Sequence, residues 1–118
     1  MRRVFRFENL EIWKIAIEIT DELFLIADFL ESRKLYRFAD QLRGAGMSIS
    51  NNIAEGSGDG NKEFQKFLRY ARRSAFECAN ILILIERRKL IKTERKIRLY
   101  NRLDELCRKI TNFIKTLD

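Results

Sequence analysis

The sequence contains no histidine and no proline, and it has only two cysteines and five glycines. Histidine is the side chain that most often moves protons near neutral pH, and it is the commonest metal ligand, so its absence argues against most acid–base and metal catalysis. Proline and glycine interrupt helices, and the glycines are confined to the segment from Gly44 to Gly60. The composition therefore favours long helices.

The remaining candidates for catalytic or ligand chemistry are weak. Cys78 and Cys107 lie on apolar helical faces and not in a CxxC spacing, which indicates reduced core residues. The segment GSGDGNK, residues 56–62, has neither the spacing nor the terminal hydroxyl of a phosphate-binding loop. No acid falls on the inward faces of the expected helices, where a carboxylate-bound metal would need several. We therefore predict no catalytic residue, no metal and no cofactor, in a protein that is not an enzyme.

Long hydrophobic runs are also missing. The N-terminal segment MRRVFRFENLEIW has no apolar run of the length found in secretory signals, and no later segment approaches the ~18 apolar residues that span a bilayer. We therefore expect a cytoplasmic protein. Its 118 residues are most simply one domain, residues 1–118, with one hydrophobic core.

Apolar residues recur at helical spacing in four blocks. The blocks cover about residues 9–30, 35–55 and 61–88, and the last one begins at residue 93. Links of a few polar residues join them, and links this short require antiparallel neighbours. The sequence therefore predicts an all-α, antiparallel, up-down-up-down four-helix bundle, roughly 35 Å long at 1.5 Å rise per residue.

Helix ends and one inward face are also predicted from the sequence. Gly56 is expected to end helix two as a left-handed residue, while Asn61 and Thr93 are expected to cap the starts of helices three and four. The small Gly46 would let a neighbouring helix approach closely. The predicted inward stripe of helix one comprises Trp13, Ala16, Ile17, Thr20, Leu23, Phe24, Ala27 and Leu30.

The chain has more apolar residues than these stripes use. In an isolated bundle, several on helices one and three would be exposed to water, namely Ile12, Ile15, Ile19, Phe76, Ile83 and Leu84. Exposed apolar patches usually mark protein contacts. We therefore predict that the protein is a homo-oligomer.

The formal net charge of +7 is unevenly distributed. Residues 1–60 carry 8 Lys and Arg against 10 Asp and Glu, whereas residues 61–118 carry 16 against 7. On helix three, cations recur at steps of four, three and four residues from Lys62 to Arg73, so they share one ridge. Further cations form a second ridge on helix four, Arg95, Arg98, Arg102 and Lys109, and others lie in the turn between the two helices. The candidate nucleic-acid-binding residues are Lys62, Lys66, Arg69, Arg72, Arg73, Arg87, Arg88, Lys92, Arg95, Arg98 and Arg102.

Two interpretations of these cations remain open. In the first, they bind the phosphates of RNA or DNA through charge, and the lack of a base-reading element means that binding is not sequence-specific. In the second, they are ordinary solvated charges, with Glu77 pairing with Arg73. The alternative function is an interaction scaffold that docks a polymerase or similar partner without touching nucleic acid.

Three segments cover most of the chain and carry a family resemblance. They are FENLEIWKIA (residues 7–16), YRFADQLRGAGMSISNNIAEGSG (36–58) and EFQKFLRYARRSAFECANIL (63–82). The central SISNNIAEG is the most specific, because it resembles the hallmark SI-x-x-NIAEG of the 23S ribosomal RNA intervening-sequence proteins. The residues that carry this hallmark are Ser48, Ile49, Asn52, Ile53, Ala54, Glu55 and Gly56.

The resemblance implies a left-handed antiparallel bundle that assembles as a ring of five subunits. Such proteins are encoded in some bacteria within insertions in ribosomal RNA genes, and the resemblance implies no known catalytic activity. A related branch comprises the accessory variability proteins of diversity-generating retroelements, which partner a reverse transcriptase and bind nucleic acid through a basic outer surface. In this family the hallmark residues are expected to be structural or to lie at subunit interfaces, with Asn52 and Glu55 as candidates for hydrogen bonds across helices.

Overall fold

The computed structural model describes residues 4–118, so residues 1–3 of the predicted domain lie outside the described part. In that part the chain forms one short 3₁₀ helix, Arg6–Asn9, four α-helices and no strand. The α-helices are α1 (Glu11–Ser32), α2 (Tyr36–Gly56), α3 (Asn61–Arg87) and α4 (Thr93–Lys115). The all-α prediction is confirmed, with helix boundaries within two residues of those expected.

Cross-helix contacts establish that neighbouring helices run antiparallel. Glu22 in the second half of α1 contacts Arg98 near the start of α4. Glu11, the first residue of α1, contacts Lys109 near the end of α4. The α1–α2, α2–α3 and α3–α4 pairs show the same reversal of order. The bundle extends 43 Å along its longest axis, more than the predicted ~35 Å, because the 27-residue α3 alone is ~40 Å long.

All four α-helices contribute to one hydrophobic core. Burying a leucine, isoleucine or phenylalanine side chain contributes about 1.5 to 3 kcal/mol relative to leaving it in water, so this cluster is the main stabilising element. Its largest fully buried side chains are Ile19, Leu23, Leu30, Leu42, Ile49, Ile53, Phe64, Leu68, Leu82, Ile85, Leu99 and Leu103.

The buried face of α1 differs from the predicted stripe. Trp13, Ile17 and Phe24 are only half-buried. The face is rotated because α1 packs against α4 as well as α2, so that apolar residues on its α4 side enter the core. The buried residues of α1 are Ile12, Ala16, Ile19, Thr20, Leu23, Ile26, Ala27 and Leu30.

The predicted exposed apolar patch is wrong for most of its residues, and the rotation of α1 accounts for those on that helix. Ile12 and Ile19, expected to be exposed, are at most 3% exposed and belong to the core. Ile15, Ile83 and Leu84 are half-buried. Of the six residues, only Phe76 is exposed.

The predicted helix caps are wrong. Asn61 and Thr93 are the first helical residues of α3 and α4, and the extended residues before them, Gly60 and Lys92, occupy the N-cap positions without a side-chain hydrogen bond. Gly56 is the last residue of α2, and none of the glycines has a positive φ. The turn after Gly56 is tight and continues in right-handed geometry, so no left-handed residue is needed there.

Two lysines take the left-handed conformation that was expected of a glycine. They stand in the related sequences LESRKL and IERRKL at the ends of α1 and α3, with φ of 64° at Lys34 and 59° at Lys89. In both turns the amide of the following leucine donates to the carbonyl five residues earlier at 2.9 Å, which is the Schellman arrangement. A lysine is more strained than glycine in this conformation, but its charge is favourable near a helix C-terminus.

Two glycines of α2 let its neighbours approach closely. A Cβ atom on Gly46 would lie 3.2 Å from Leu23 Cδ1 of α1, as predicted for this small residue. The contact at Gly56 is tighter, since a Cβ there would lie 2.7 Å from Phe67 Cβ and 2.8 Å from Phe64 Cδ1 of α3. Gly56 therefore has a steric role at the α2–α3 contact.

The 3₁₀ helix closes the same end of the bundle. Arg6 Nη1 donates to the carbonyl of Ser57 at 3.2 Å, and the Arg6 guanidinium lies 5.2 Å from the centre of the Phe64 ring. Because Phe64 also contacts Gly56, the N-terminal segment and the α2–α3 turn are held by one buried ring.

Replacing Gly56 with alanine is expected to destabilise the protein by about 1–3 kcal/mol, because α3 must move away from the added methyl group. The matched control is Gly44→Ala, since a Cβ there meets nothing within 4 Å. That change is expected to be neutral or to stabilise by up to about 1 kcal/mol, because alanine is the better helix former. Urea unfolding followed by circular dichroism measures both, and equal effects would contradict the steric role of Gly56.

The two thiols are expected to react slowly in the folded protein. Burial raises the pKa of Cys78 to about 12 and that of Cys107 to about 11, so at pH 8 only about a thousandth of Cys107, and less of Cys78, is the reactive thiolate. Cys107 is 9% exposed and Cys78 is fully buried, so Cys107 should react first. A disulfide reagent added with and without denaturant, on the natural protein and on Cys107→Ala, measures this. Rapid reaction of both thiols in the native protein would contradict it.

Candidate nucleic-acid interface

Four exposed cations form one ridge along the outer face of α3. They point away from the buried face of that helix and cover ~16 Å along its axis. Within the described part of the chain, no carboxylate lies within 4 Å of any of their charged groups. This set, called the α3 ridge below, consists of Lys62, Lys66, Arg69 and Arg73.

An aromatic ring that the sequence reasoning missed lies beside the α3 ridge. Tyr70 is 36% exposed. Lys66 Nζ and Arg73 Cζ lie 6.0 and 5.9 Å from the centre of its ring, within the range of weak cation–π attraction. The sequence alone could have indicated this contact, because Tyr70 stands four residues after Lys66 and three before Arg73, spacings that place side chains on the same helix face.

Arg72 lies beside the ridge but contacts α4. Its Nη1 donates to Thr111 Oγ1 at 2.8 Å, and the side chain is half-buried. It also lines an open groove of about 490 Å³ between α3 and α4. Arg72 therefore joins two helices, in addition to any role at the surface.

The predicted ridge on α4 is brought against acids of α1. Arg98 Nη1 lies 2.6 Å from Glu22 Oε1, and Arg102 Nη2 lies 2.9 Å from Glu18 Oε2. Lys109 donates to Glu11, and this hydrogen bond raises the pKa of Lys109. The three acids fall on the α4-facing side of α1, which periodicity alone did not indicate. A phosphate would have to compete with these carboxylates for the α4 cations.

The cations around the α3–α4 turn have mixed environments. Arg88 donates to the carbonyl of Leu84 at 3.1 Å and lies over the ring of Phe38. Lys92 and Arg95 line, together with Arg98, an open cleft of about 560 Å³ with an apolar floor. Arg87 is exposed at the last turn of α3. These residues lie at the opposite end of α3 from Lys62 and do not form one line with the α3 ridge.

The hallmark residues lie mainly between α2 and α3. Ile49 and Ile53 are fully buried. Asn52 Nδ2 donates to the carbonyl and to Oγ of Ser48, at 2.8 and 3.0 Å, and Ser74 Oγ of α3 lies 2.8 Å from Ser48 Oγ. Asn52 thus bonds within its own helix, and the serine pair makes the connection between helices. The two other hallmark residues, Ala54 and Glu55, are half-buried and exposed respectively.

Other kinds of site find little support in the described residues. Over positions 4–118 no group of three or more His, Cys, Asp or Glu side chains is placed to hold a metal ion. None of the helices in that range combines the length and hydropathy needed to cross a bilayer. The arrangement that is present consists of point charges and exposed rings, which suit contact with a polyanion.

A solved structure has a similar fold. It is the 1.70 Å crystal structure of a protein of unknown function from the S23 ribosomal protein family of Bacteroides thetaiotaomicron. The two share 24% sequence identity and a TM-score of 0.83, over 88% of this chain and 98% of that one. At this identity the likeness establishes the fold alone.

Comparison with protein families gives a more direct result. No functionally curated protein matches the chain significantly. The family model described as 23S rRNA-intervening sequence protein matches residues 8–112. Since this match covers most of the 118 residues, the chain belongs to the 23S rRNA-intervening sequence protein family.

Proposed function

We propose that the protein is a non-enzymatic homo-oligomer that binds the phosphate backbone of nucleic acid through the α3 ridge. The observation that carries the proposal is the set of four exposed cations on one helix face without a carboxylate partner in the described residues. Such an array attracts phosphates and releases their counterions.

Binding of this kind is independent of sequence. Lysine and arginine contacts to phosphates position a protein on a strand, whereas base identity is read by an element that enters a groove. The α3 ridge lies on a helix that is packed into the bundle along its other face, so the helix as a whole is not free to enter a groove. The family description refers to a ribosomal RNA insertion, which favours RNA as the natural partner, although charge alone binds DNA as well.

The other candidate cations contribute less in this proposal. Arg98 and Arg102 are held by Glu22 and Glu18, and releasing them costs the ion pairs. Arg72 is held by Thr111. The cluster at the α3–α4 turn, with Lys92 and Arg95, is a secondary contact at the far end of the bundle.

The homo-oligomer, as a ring of five, is part of the same proposal. It is supported by family membership and by large apolar side chains that remain exposed on α1 and α2, with Leu25 62% and Met47 46% exposed. Repetition of the α3 ridge around a ring would raise the affinity of weak phosphate contacts for a long strand through avidity.

One observation favours a second candidate function. Since the α4 cations are paired with acids of the same chain, they contribute little to a polyanion site, and the exposed Leu25 and Met47 suit a protein contact. On this alternative the protein is a scaffold or accessory subunit for a protein partner, such as a reverse transcriptase. The alternative predicts no salt-dependent binding to any nucleic acid, so the titration below separates the two.

Binding to a labelled RNA or DNA duplex is expected to weaken with salt, with a log–log slope of roughly −3 to −4 if each α3 ridge neutralises three or four phosphates. Reversing three of its charges, in Lys66→Glu, Arg69→Glu and Arg73→Glu together, should flatten that slope by roughly 2 to 3. Fluorescence anisotropy between 20 and 300 mM salt, on the order of the range over which such contacts are screened, measures both.

The control reverses three cations of the α1–α2 turn, Arg33, Lys34 and Arg37, which are exposed but remote from the α3 ridge. Each reversal changes the charge by two, so both triple variants go from +7 to +1. If both variants lost the salt dependence equally, binding would depend on net charge and not on the α3 ridge. Absence of binding at low salt would contradict the proposal.

The mass of the protein in solution tests the oligomer. Five subunits of 14.1 kDa give about 70 kDa by sedimentation equilibrium or light scattering. A species of 14.1 kDa would contradict self-association. Another multiple of that mass would retain the homo-oligomer and reject the ring of five.

A further inference from the structure

An exposed phenylalanine continues the line of the α3 ridge. Phe76 follows Arg73 by three residues, which extends the alternating steps of four and three along the same helix face. Its side chain is 58% exposed. Tyr70, between Lys66 and Arg73, lies ~9 Å back along the helix axis. The two rings therefore flank the α3 ridge, with Tyr70 on the side of Phe67 and Phe76 on the side that faces α4.

The surroundings of Phe76 are basic and open. The ring borders the groove of about 490 Å³ between α3 and α4, together with Arg72, Arg108 and Asp104. Asp104 is 3.1 Å from Arg108, so it compensates that arginine, and Arg72 bonds to a neutral hydroxyl. The local charge around the ring is therefore positive on the α3 side, where Arg72 and Arg73 outnumber Glu77, and balanced on the α4 side.

We propose that Phe76 is a stacking platform for unpaired bases, with Tyr70 as a second ring across the α3 ridge, and that the protein binds single-stranded nucleic acid in preference to duplex. This inference rests on the proposed function, since the α3 ridge holds the backbone that presents the bases. Exposed rings interleaved with cations bind single strands because every base has a face that stacks, whatever its identity. In a duplex those faces are covered by neighbouring base pairs, so only the charge contribution remains.

A second copy of the chain fits this surface less well. Of the apolar residues that were predicted to form a patch with Phe76, Ile83 and Leu84 are half-buried, and the large apolar neighbour of the ring that remains exposed is Tyr100 of α4. A two-fold contact through Phe76 would bring the Arg72 and Arg73 of one copy against those of the other, whereas a contact in a ring of five would place the phenyl ring against a different surface of the next copy. Like charges across an interface are unfavourable, whereas a polyanion is complementary to them.

The test compares one strand in two forms. A labelled single-stranded oligonucleotide of mixed sequence and its duplex are titrated with the natural protein, with Phe76→Leu and with Phe76→Trp. Leucine retains most of the apolar volume but has no aromatic face, so affinity for the single strand should fall roughly fivefold or more, while affinity for the duplex stays unchanged. Phe76→Trp should retain or raise the affinity for the single strand, and its added fluorescence should be quenched by the stacked base.

The control is Tyr36→Leu, because Tyr36 is 57% exposed, almost the same fraction as Phe76, but stands at the start of α2. It should change neither affinity. Light scattering on Phe76→Leu tests the competing occupant, and the assembly mass should equal that of the natural protein.

Each contrary result has a distinct meaning. Equal loss for single strand and duplex in Phe76→Leu, or no loss in either, overturns the stacking platform while the charge-based function stands. A change of assembly mass in Phe76→Leu places the ring in a subunit interface and also overturns it. If the natural protein binds neither form at low salt, the proposed function fails and the inference fails with it.

Discussion

The tight contact between α2 and α3 determines which face of α3 meets solvent. At one end Gly56 has no side chain, so Phe64 and Phe67 lie against the α2 backbone. Further along, Ser48 and Ser74 meet at 2.8 Å. These two contacts fix both the spacing and the rotation of α3. A rotation by one residue, ~100°, would turn cations of the α3 ridge toward α2 and remove buried apolar residues from the core. The exposure of the ridge is thus a consequence of packing on the opposite side.

The distribution of charge makes the outer face of α3 different from the outer faces of the other helices. The first half of the chain carries 10 acids, and three of them on α1 pair with cations of α4 across the α1–α4 contact. Another pair of acids, Asp28 and Glu31, binds Arg43 of α2, and the hydrogen bonds from Asp28 and then Glu31 raise the pKa of that arginine. These acids pair with cations of α2 and α4, whereas the four cations of the α3 ridge have no carboxylate within 4 Å in the described residues.

The helices, their order and the α3 ridge were predictable from the sequence, because each depends on periodicity within one segment. The rotated face of α1 was not, since Trp13 and Ile19 are both apolar and only the position of α4 decides which of them is buried. Arg102 and Glu18 are 84 residues apart in sequence, and their pairing depends on how far α4 is shifted along its axis relative to α1. No local sequence pattern encodes that shift. Gly56 was expected to be important as a left-handed residue, but its role is to allow close contact with α3. A glycine at a helix end can serve either purpose, and only the position of the neighbouring helix shows which one applies.

Solubility alone does not account for the α3 ridge. A positive net charge keeps a small protein soluble wherever the charges lie, and mixing the two signs along a helix adds stability through pairs three and four residues apart. The outer face of α4 follows that rule, as in the pairs Arg108 with Asp104 and Lys109 with Glu105. On α3, Lys66 stands four residues after Lys62 and Arg73 stands four after Arg69, so these steps place like charges together. Glu63 and Glu77 stand at pairing distance in sequence, but in the described residues neither carboxylate lies within 4 Å of a ridge cation. The like-charge arrangement costs the isolated helix a few tenths of a kcal/mol per pair, a cost that binding of a polyanion would reverse.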